Sequence, residues 1–292
     1  MNTSILVPLD GSAFAERALP YAGALAQTTG QRVCLVGVLP EKAPSRRSSA
    51  GEEADNRTEL QSILTGMTKR LRASGLRVTS HLRQGEIAPS ILDAAREFEA
   101  SHIVMGTHGR SGIRRWIFGS VADAVVRHAS TPVVLIPPDC AREWPGDRVE
   151  RILVPLDGSL VGEAALEPAC DLALKFPAEV ILLRVVEAPG GTAETAAIAY
   201  LEETLEGVRE RGVTTDVAVG FRSVEGAIAD TARERNVDLI VMATHGLGGA
   251  ARLVVGSVAT ELIQRATLPI MVVRPAALLD PAPAADAAPT GA

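Results

Sequence analysis

At 292 residues the chain has room for two domains of roughly 150 residues each, and its 47% hydrophobic and 22% charged residues exclude disorder as the dominant state. A net charge of -6 excludes global attraction to nucleic acid or to an anionic membrane, so any phosphate binding has to be local. Cys34, Cys140 and Cys170 form no CxxC pair, which argues against a disulfide framework or a zinc site and fits a reducing cytoplasm.

The start, MNTSILVPLD, has no basic stretch followed by a long apolar run, and no run of 18 apolar residues occurs anywhere. The reading is therefore a cytoplasmic protein with no membrane span. Aromatic residues are only 3%, so the cores must be built from Val, Leu, Ile and Ala, the filling of helices packed on parallel sheets.

In chain order, TSILVPL is a continuous apolar run and predicts a buried first strand, followed by a helix over 13–29 that ends at Gly30. VCLVGVL predicts the second strand. The stretch 40–57, rich in Pro, Ser, Gly and charge, predicts an exposed flexible loop, either simply solvated or regulatory. A helix over 57–74 leads to the strand LRVTSHL, and a helix over 89–99 leads to SHIVMG. After GTHG and a loop come a helix over 120–128 and a last strand, PVVLI at 132–136.

The same order then repeats. ILVPLDGS stands at 5–12 and at 152–159, IVMGTHG at 103–109 is echoed by IVMATHG at 240–246, and GSVA at 119–122 recurs at 256–259. The first pair is offset by 147 residues and the other two by 137, so the first copy holds ten more residues, assigned to 40–57. The expected organisation is a first domain at 1–138, a linker at 139–148, a second domain at 149–275 ending with PIMVV, and a disordered Ala/Pro tail at 276–292. Alternating strands and helices predict a doubly wound parallel sheet of five strands in each copy, Rossmann-like.

In such sheets ligands bind beyond the carboxyl ends of the strands, where the strand order reverses, and every repeated motif falls there. Asp10 and Asp157 follow the first strand of each copy, His108 and His245 the fourth, and Gly119-Ser120 and Gly256-Ser257 open the next helix. A helix N-terminus offers unpaired N–H groups and partial positive charge, and glycine lets a phosphate approach the backbone. The spacing Gly106-x2-Gly109-x9-Gly119-Ser120 suits a loop that wraps a polyphosphate, with the Ser120 hydroxyl as a further donor. Asp10 is open to a second reading, because Asp-Gly-Ser is also a common turn and helix start.

ILVPLDGS and GTHGRSGIRRWIFGSVADAVVRHASTPVVLI resemble the universal stress protein family, tandem two-domain type, ATP-binding subgroup. The resemblance implies the adenine nucleotide alpha hydrolase-like version of the fold and a regulatory role governed by ATP, or by ADP or AMP, with or without Mg²⁺. It implies that Asp10 lies beside ribose or adenine, with Pro8 and Leu9 also among the binding residues, that the backbone of Val38 meets the adenine, and that Gly106, His108, Gly109, Arg110, Gly119, Ser120 and Val121 hold the phosphates. In the second copy it implies Pro155, Leu156, Asp157, Val185, Ala243, His245, Gly246, Gly256, Ser257 and Val258.

The second copy departs from the pattern at Ala243, in place of the first glycine, and at Leu247, in place of Arg110. Arg114 and Arg115 of the first copy could meet phosphate or stand in solvent, and only Arg252 matches them in the second. The first copy is therefore expected to bind more tightly, provided Gly106 serves close approach or positive φ. His108 and His245 lack companions at metal-ligand spacing and suit phosphate contact or loop packing, while His81, His102 and His128 are read as structural. Cys34 and Cys170 are read as small core residues.

Walker A, GxGxxG and Ser-His-Asp signatures are missing, which disfavours P-loop motors, dehydrogenases and hydrolases of that kind. Three readings remain: a regulatory nucleotide binder, a slow ATPase or self-phosphorylating enzyme, and an interaction module without nucleotide. PVVLI and PIMVV, as apolar strands at a sheet edge, predict an intramolecular pseudo-dimer, with a further homodimer.

Overall fold

The structure, a computed structural model, describes residues 3–41, 50–107, 119–140, 144, 148–244 and 256–275. The first half contains β1 (Ser4–Leu9), α1 (Ala13–Glu16), α2 (Ala18–Thr29), β2 (Arg32–Leu39), α3 (Ala50–Ala73), β3 (Val78–Gln84), α4 (Ile87–Glu97), β4 (Ala100–Gly106), α5 (Ser120–His128) and β5 (Val133–Ile136). The second repeats it with β6 (Arg151–Leu156), α6 (Leu160–Glu163), α7 (Leu166–Lys175), β7 (Glu179–Val186), α8 (Thr192–Glu210), β8 (Thr214–Phe221), α9 (Val224–Glu234), β9 (Leu239–Ala243), α10 (Ser257–Arg265) and β10 (Ile270–Val273).

All ten strands form one sheet in the order β3-β2-β1-β4-β5-β10-β9-β6-β7-β8. Pairing is parallel within each half, and each half reverses its strand order once, between β1 and β4 and between β6 and β9. The two final strands meet antiparallel, Met271 opposite Val134, so the expected pseudo-dimer is a single sheet continuous through its middle. An edge left open in each half is thereby closed by the other.

Central strands are covered by helices on both faces, which is why β1 is apolar at successive positions instead of alternating. One core layer lies under α2, α3, α7 and α8, the other under α4, α5, α9 and α10, and both run through the two halves. Cys34 and Cys170 are fully buried core residues, as expected.

Three expectations need correction. The helix over 13–29 is broken into α1 and α2, because the ring of Pro20 opposes the carbonyl of Glu16 and supplies no N–H; Pro168 does the same between α6 and α7. The segment 40–57 is not wholly loop: α3 begins at Ala50, so its second part is helical, while 42–49 lie outside the described residues. The helix placed at 89–99 starts earlier, at Ile87. The tail at 276–292 also lies outside the described residues. Among the described residues, no helix is long and apolar enough to cross a membrane.

Candidate functional site

The chain leaves β1 at Leu9 and turns sharply over Asp10-Gly11-Ser12. Asp10 Oδ1 accepts from the Ser12 amide (2.9 Å) and the Ser12 hydroxyl (2.6 Å), and Ser12 Oγ accepts from the Ala15 amide (3.2 Å) to cap α1. Gly11, at φ 84, takes the left-handed backbone the turn requires. The second half builds the same turn: Asp157 Oδ1 takes Ser159 N and Oγ at 3.1 and 2.6 Å, Ser159 Oγ takes Gly162 N at 3.0 Å, and Gly158 has φ 79. Asp10 thus holds the turn while Ser12 is the residue that caps α1, and Asp10 also lines a cavity.

That cavity, of about 640 Å³, opens at the carboxyl ends of β1 to β4, where the strand order reverses. Pro8, Leu9, Asp10, Val38, Gly106, Gly119, Ser120 and Val121 all line it, so the fold brings together every described first-half residue singled out from the sequence. His108, Gly109 and Arg110 lie outside the described residues, as do His245, Gly246, Arg114, Arg115, Leu247 and Arg252. A volume of this size suits a small-molecule ligand.

Thr107, buried and not anticipated, ties the end of β4 both to β5 and to the start of α5. Its amide donates to Ile136 O (3.1 Å), and its carbonyl accepts from Gly119 N (3.0 Å). Thr244 does the same in the second half, with Val273 O at 2.9 Å and Gly256 N at 2.8 Å. The signal was in the sequence, since a Thr stands between the fourth strand and the histidine in both copies.

Helix α5 then opens at the cavity with Gly119 as N-cap and no side-chain cap from it, and Ser120, Val121 and Ala122 of its first turn line the cavity. Gly119 has φ -54 and ψ 135, and Gly256 has φ -57 and ψ 153, conformations open to any residue. What distinguishes glycine there is the absence of a side chain. Gly106 is the extended last residue of β4, paired with Ile136, and Ala243 occupies the matching place beside Val273. Gly106 therefore has no positive φ to require glycine, contrary to that expectation, and alanine fits the extended strand at 243 without strain.

Apolar walls supplied by Val36, Leu60, Ile87, Ile91 and Met105 were also missed by sequence reasoning. Their apolar character reads equally well as core, and only the topology places them around one opening. Arg57 and Gln84 also belong to the lining, with Arg57 Nη2 donating to Gln84 Oε1 at 2.8 Å.

In the second half, Pro155, Leu156, Asp157, Val185, Ala243, Gly256, Ser257 and Val258 hold the corresponding strand-end and helix-start positions. One difference was not foreseen. Arg184 stands opposite Leu156 in the register that gives Gly37 to Leu9; its Nη1 donates to Leu156 O (3.3 Å), and its guanidinium lies 5.8 Å from the Tyr200 ring centre. Tyr200 donates to Glu163 at 2.7 Å, and burial together with that carboxylate pushes its phenol well above the usual range.

The remaining histidines have structural surroundings. His81 stacks on Phe98 at 4.2 Å, His102 Nδ1 meets Ser101 Oγ at 3.0 Å, and His128 Nδ1 meets Ala124 O at 2.8 Å. Among the described residues no three His, Cys, Asp or Glu side chains are grouped to hold a metal ion.

Compared with known proteins, the chain matches the sequence pattern of the universal stress protein family over residues 1–137 and again over 148–274. It belongs to the universal stress protein family. A universal stress protein of Mycolicibacterium smegmatis is 30% identical over 210 residues, covering 69% of this chain and 70% of that protein. A universal stress protein of Mycobacterium tuberculosis is 31% identical over 208 residues, covering 68% and 70%. The crystal structure of a universal stress protein from Archaeoglobus fulgidus superimposes with a TM-score of 0.75 at 22% identity, over 94% of this chain and 97% of that one, and shares the fold. Both halves are therefore universal stress protein domains, which accounts for the repeated turn and the repeated loop base.

Proposed function

We propose that the first half binds an adenine nucleotide, ATP foremost, and that occupancy acts as a regulatory signal in a stress response and not as a step of catalysis. The observation that carries this reading is the convergence of the Asp10 carboxylate, an apolar slot and the uncapped start of α5 on one cavity. The helix start suits phosphate, the carboxylate suits ribose hydroxyls, and the apolar walls suit a base. Glycine at position 119, not demanded by its backbone angles, leaves room for a phosphate against the helix amides. Mg²⁺ would enter with the phosphates. The second half, with the same turn and helix start, is proposed as a weaker site.

Mass spectrometry of ligand released from freshly purified protein tests the proposal. Release of ATP, ADP or AMP supports it, and protein that carries none and fails to take up ATP in calorimetry removes it. Steady-state phosphate release separates the regulatory reading from a slow ATPase. A cytoplasmic location and a homodimer of the tandem chain belong to the same proposal, and a monomeric mass in light scattering across micromolar concentrations would remove the dimer.

A further inference from the structure

We propose that Arg57 and Gln84 form a hydrogen-bond-donor edge that reads the nucleobase in the first half, and that the second half lacks this reader. The inference rests on the nucleotide reading above and adds to it which residues select the base. The strand ends bordering the cavity run in the order β4, β1, β2, β3, and they present in turn Gly106, Asp10, Val38 and Gln84. At about 4.8 Å per strand this is a path of roughly 14 Å, the span of a nucleotide from phosphates to base. With phosphate at α5 and ribose at Asp10, the base arrives over β2 and β3, beside Gln84.

Gln84 pairs with Leu39 in the β2–β3 register, at the far end of the cavity from α5. The bond from Arg57 Nη2 engages Gln84 Oε1, which leaves the Gln84 NH₂ group and the remaining Arg57 N–H groups as donors on two residues of the lining. The pair thus offers donors and matches acceptor atoms on a base edge, such as ring nitrogens or an oxo group.

Both reader positions have counterparts in the second half, occupied by different chemistry. Leu60 and Leu64 are buried on α3 as Ala197 and Leu201 are on α8, which sets Arg57 opposite Glu194; Leu39↔Gln84 corresponds to Val186↔Phe221. The second half therefore has an acid and an aromatic ring at these places, and Glu194 accepts from the Gly190 amide. The positive charge of Arg57 is replaced by a negative one, and the amide of Gln84 by a ring that has no hydrogen-bonding group.

The test is calorimetric titration of the full chain with ATP and with tripolyphosphate, which has no base. A Gly256→Asp background silences the second site with a carboxylate that remains a favourable N-cap. Arg57→Ala and Gln84→Ala are each expected to weaken ATP binding about tenfold and leave tripolyphosphate binding unchanged, with the thermal midpoint of the unliganded protein unaltered. Unchanged ATP affinity overturns the inference, as does an equal loss for tripolyphosphate, which would make Arg57 a phosphate contact. Failure of the unaltered chain to bind ATP would remove the nucleotide reading itself, and this inference with it.

Discussion

Asp10 holds the turn after β1 and is proposed to meet the ribose, and Asp10→Asn separates the two roles. Asp10→Asn keeps a side-chain oxygen for the Ser12 amide and hydroxyl, so the turn and the cap of α1 survive and unfolding free energy should change by less than about 1 kcal/mol. The negative charge is lost, and ATP affinity should fall about tenfold or more, the worth of a charge-assisted hydrogen bond. Calorimetry and thermal denaturation of the same variant check both halves of the statement. His102 provides a second residue-scale test. Burial, with Lys175 adding repulsion, lowers its pKa from 6.5 to about 4. The unfolded chain therefore binds the proton more readily, so the contribution is complete above pH 6.5 and is lost as pH falls toward 4. Up to about 3 kcal/mol is at stake at about 1.4 kcal/mol per pH unit. Urea titrations between pH 7 and 4 should show the decline, and His102→Gln should flatten it.

Elements in this fold are positioned by close approach of helix to strand. At Gly220, on β8, a Cβ would stand 2.7 Å from the Cβ of Ala227 on α9 and 3.5 Å from side-chain atoms of Leu183 and Val185. Gly220→Ala must push α9 away from the sheet, and a loss of about 1–3 kcal/mol is expected in denaturant titration. In the first half, Gly37 lets Leu60 and Leu64 of α3 lie directly on β2, with a hypothetical Cβ meeting them at 3.0 and 3.1 Å. That contact seats α3, and with it the side of the cavity that carries Arg57. The corresponding position on β7 is Arg184, whose side chain instead extends to Leu156 O and Tyr200. Two related halves thus differ most on the face covered by α3 and α8.

The whole molecule is held by more than the β5–β10 seam. Trp144, from the stretch expected to be a linker, is buried edge-on to Tyr21 of α2 at 5.2 Å and to Phe176 after α7 at 5.9 Å, and its Nε1 donates to Asp238 O at 3.2 Å. Asp238 Oδ2 in turn accepts from the amides of Glu150 and Arg151 at 2.8 and 3.0 Å, fixing the entry to β6. One aromatic side chain therefore bridges both halves. Trp144→Ala should cost about 3–5 kcal/mol in denaturant unfolding, whereas Trp144→Phe, which keeps most of the apolar contact and loses the N–H bond, should cost nearer 1 kcal/mol. A loss below about 1 kcal/mol for the alanine variant would show that the sheet seam alone joins the halves.

The duplication, the strand-helix alternation and the placing of Asp10, Gly106 and Gly119 at strand ends and a helix start were legible in the sequence, because each rests on a local signal: an apolar run, a repeated octapeptide, a helix start. The break at Pro20, equally local, could have been read and was not. Other features depended on distant contacts. Whether an apolar residue such as Ile91 or Met105 is core or cavity wall depends on which strands end beside it. Whether charged residues such as Arg57 are solvated or line a site depends on where α3 begins, and the Pro/Ser/Gly-rich stretch before that helix hid its first turns. Burial of Trp144 required both halves to be in place. Local composition fixes which elements form and which motifs recur; only packing across 100 or more residues decides which side chains share a cavity, since that is set by strand order and not by spacing along the chain.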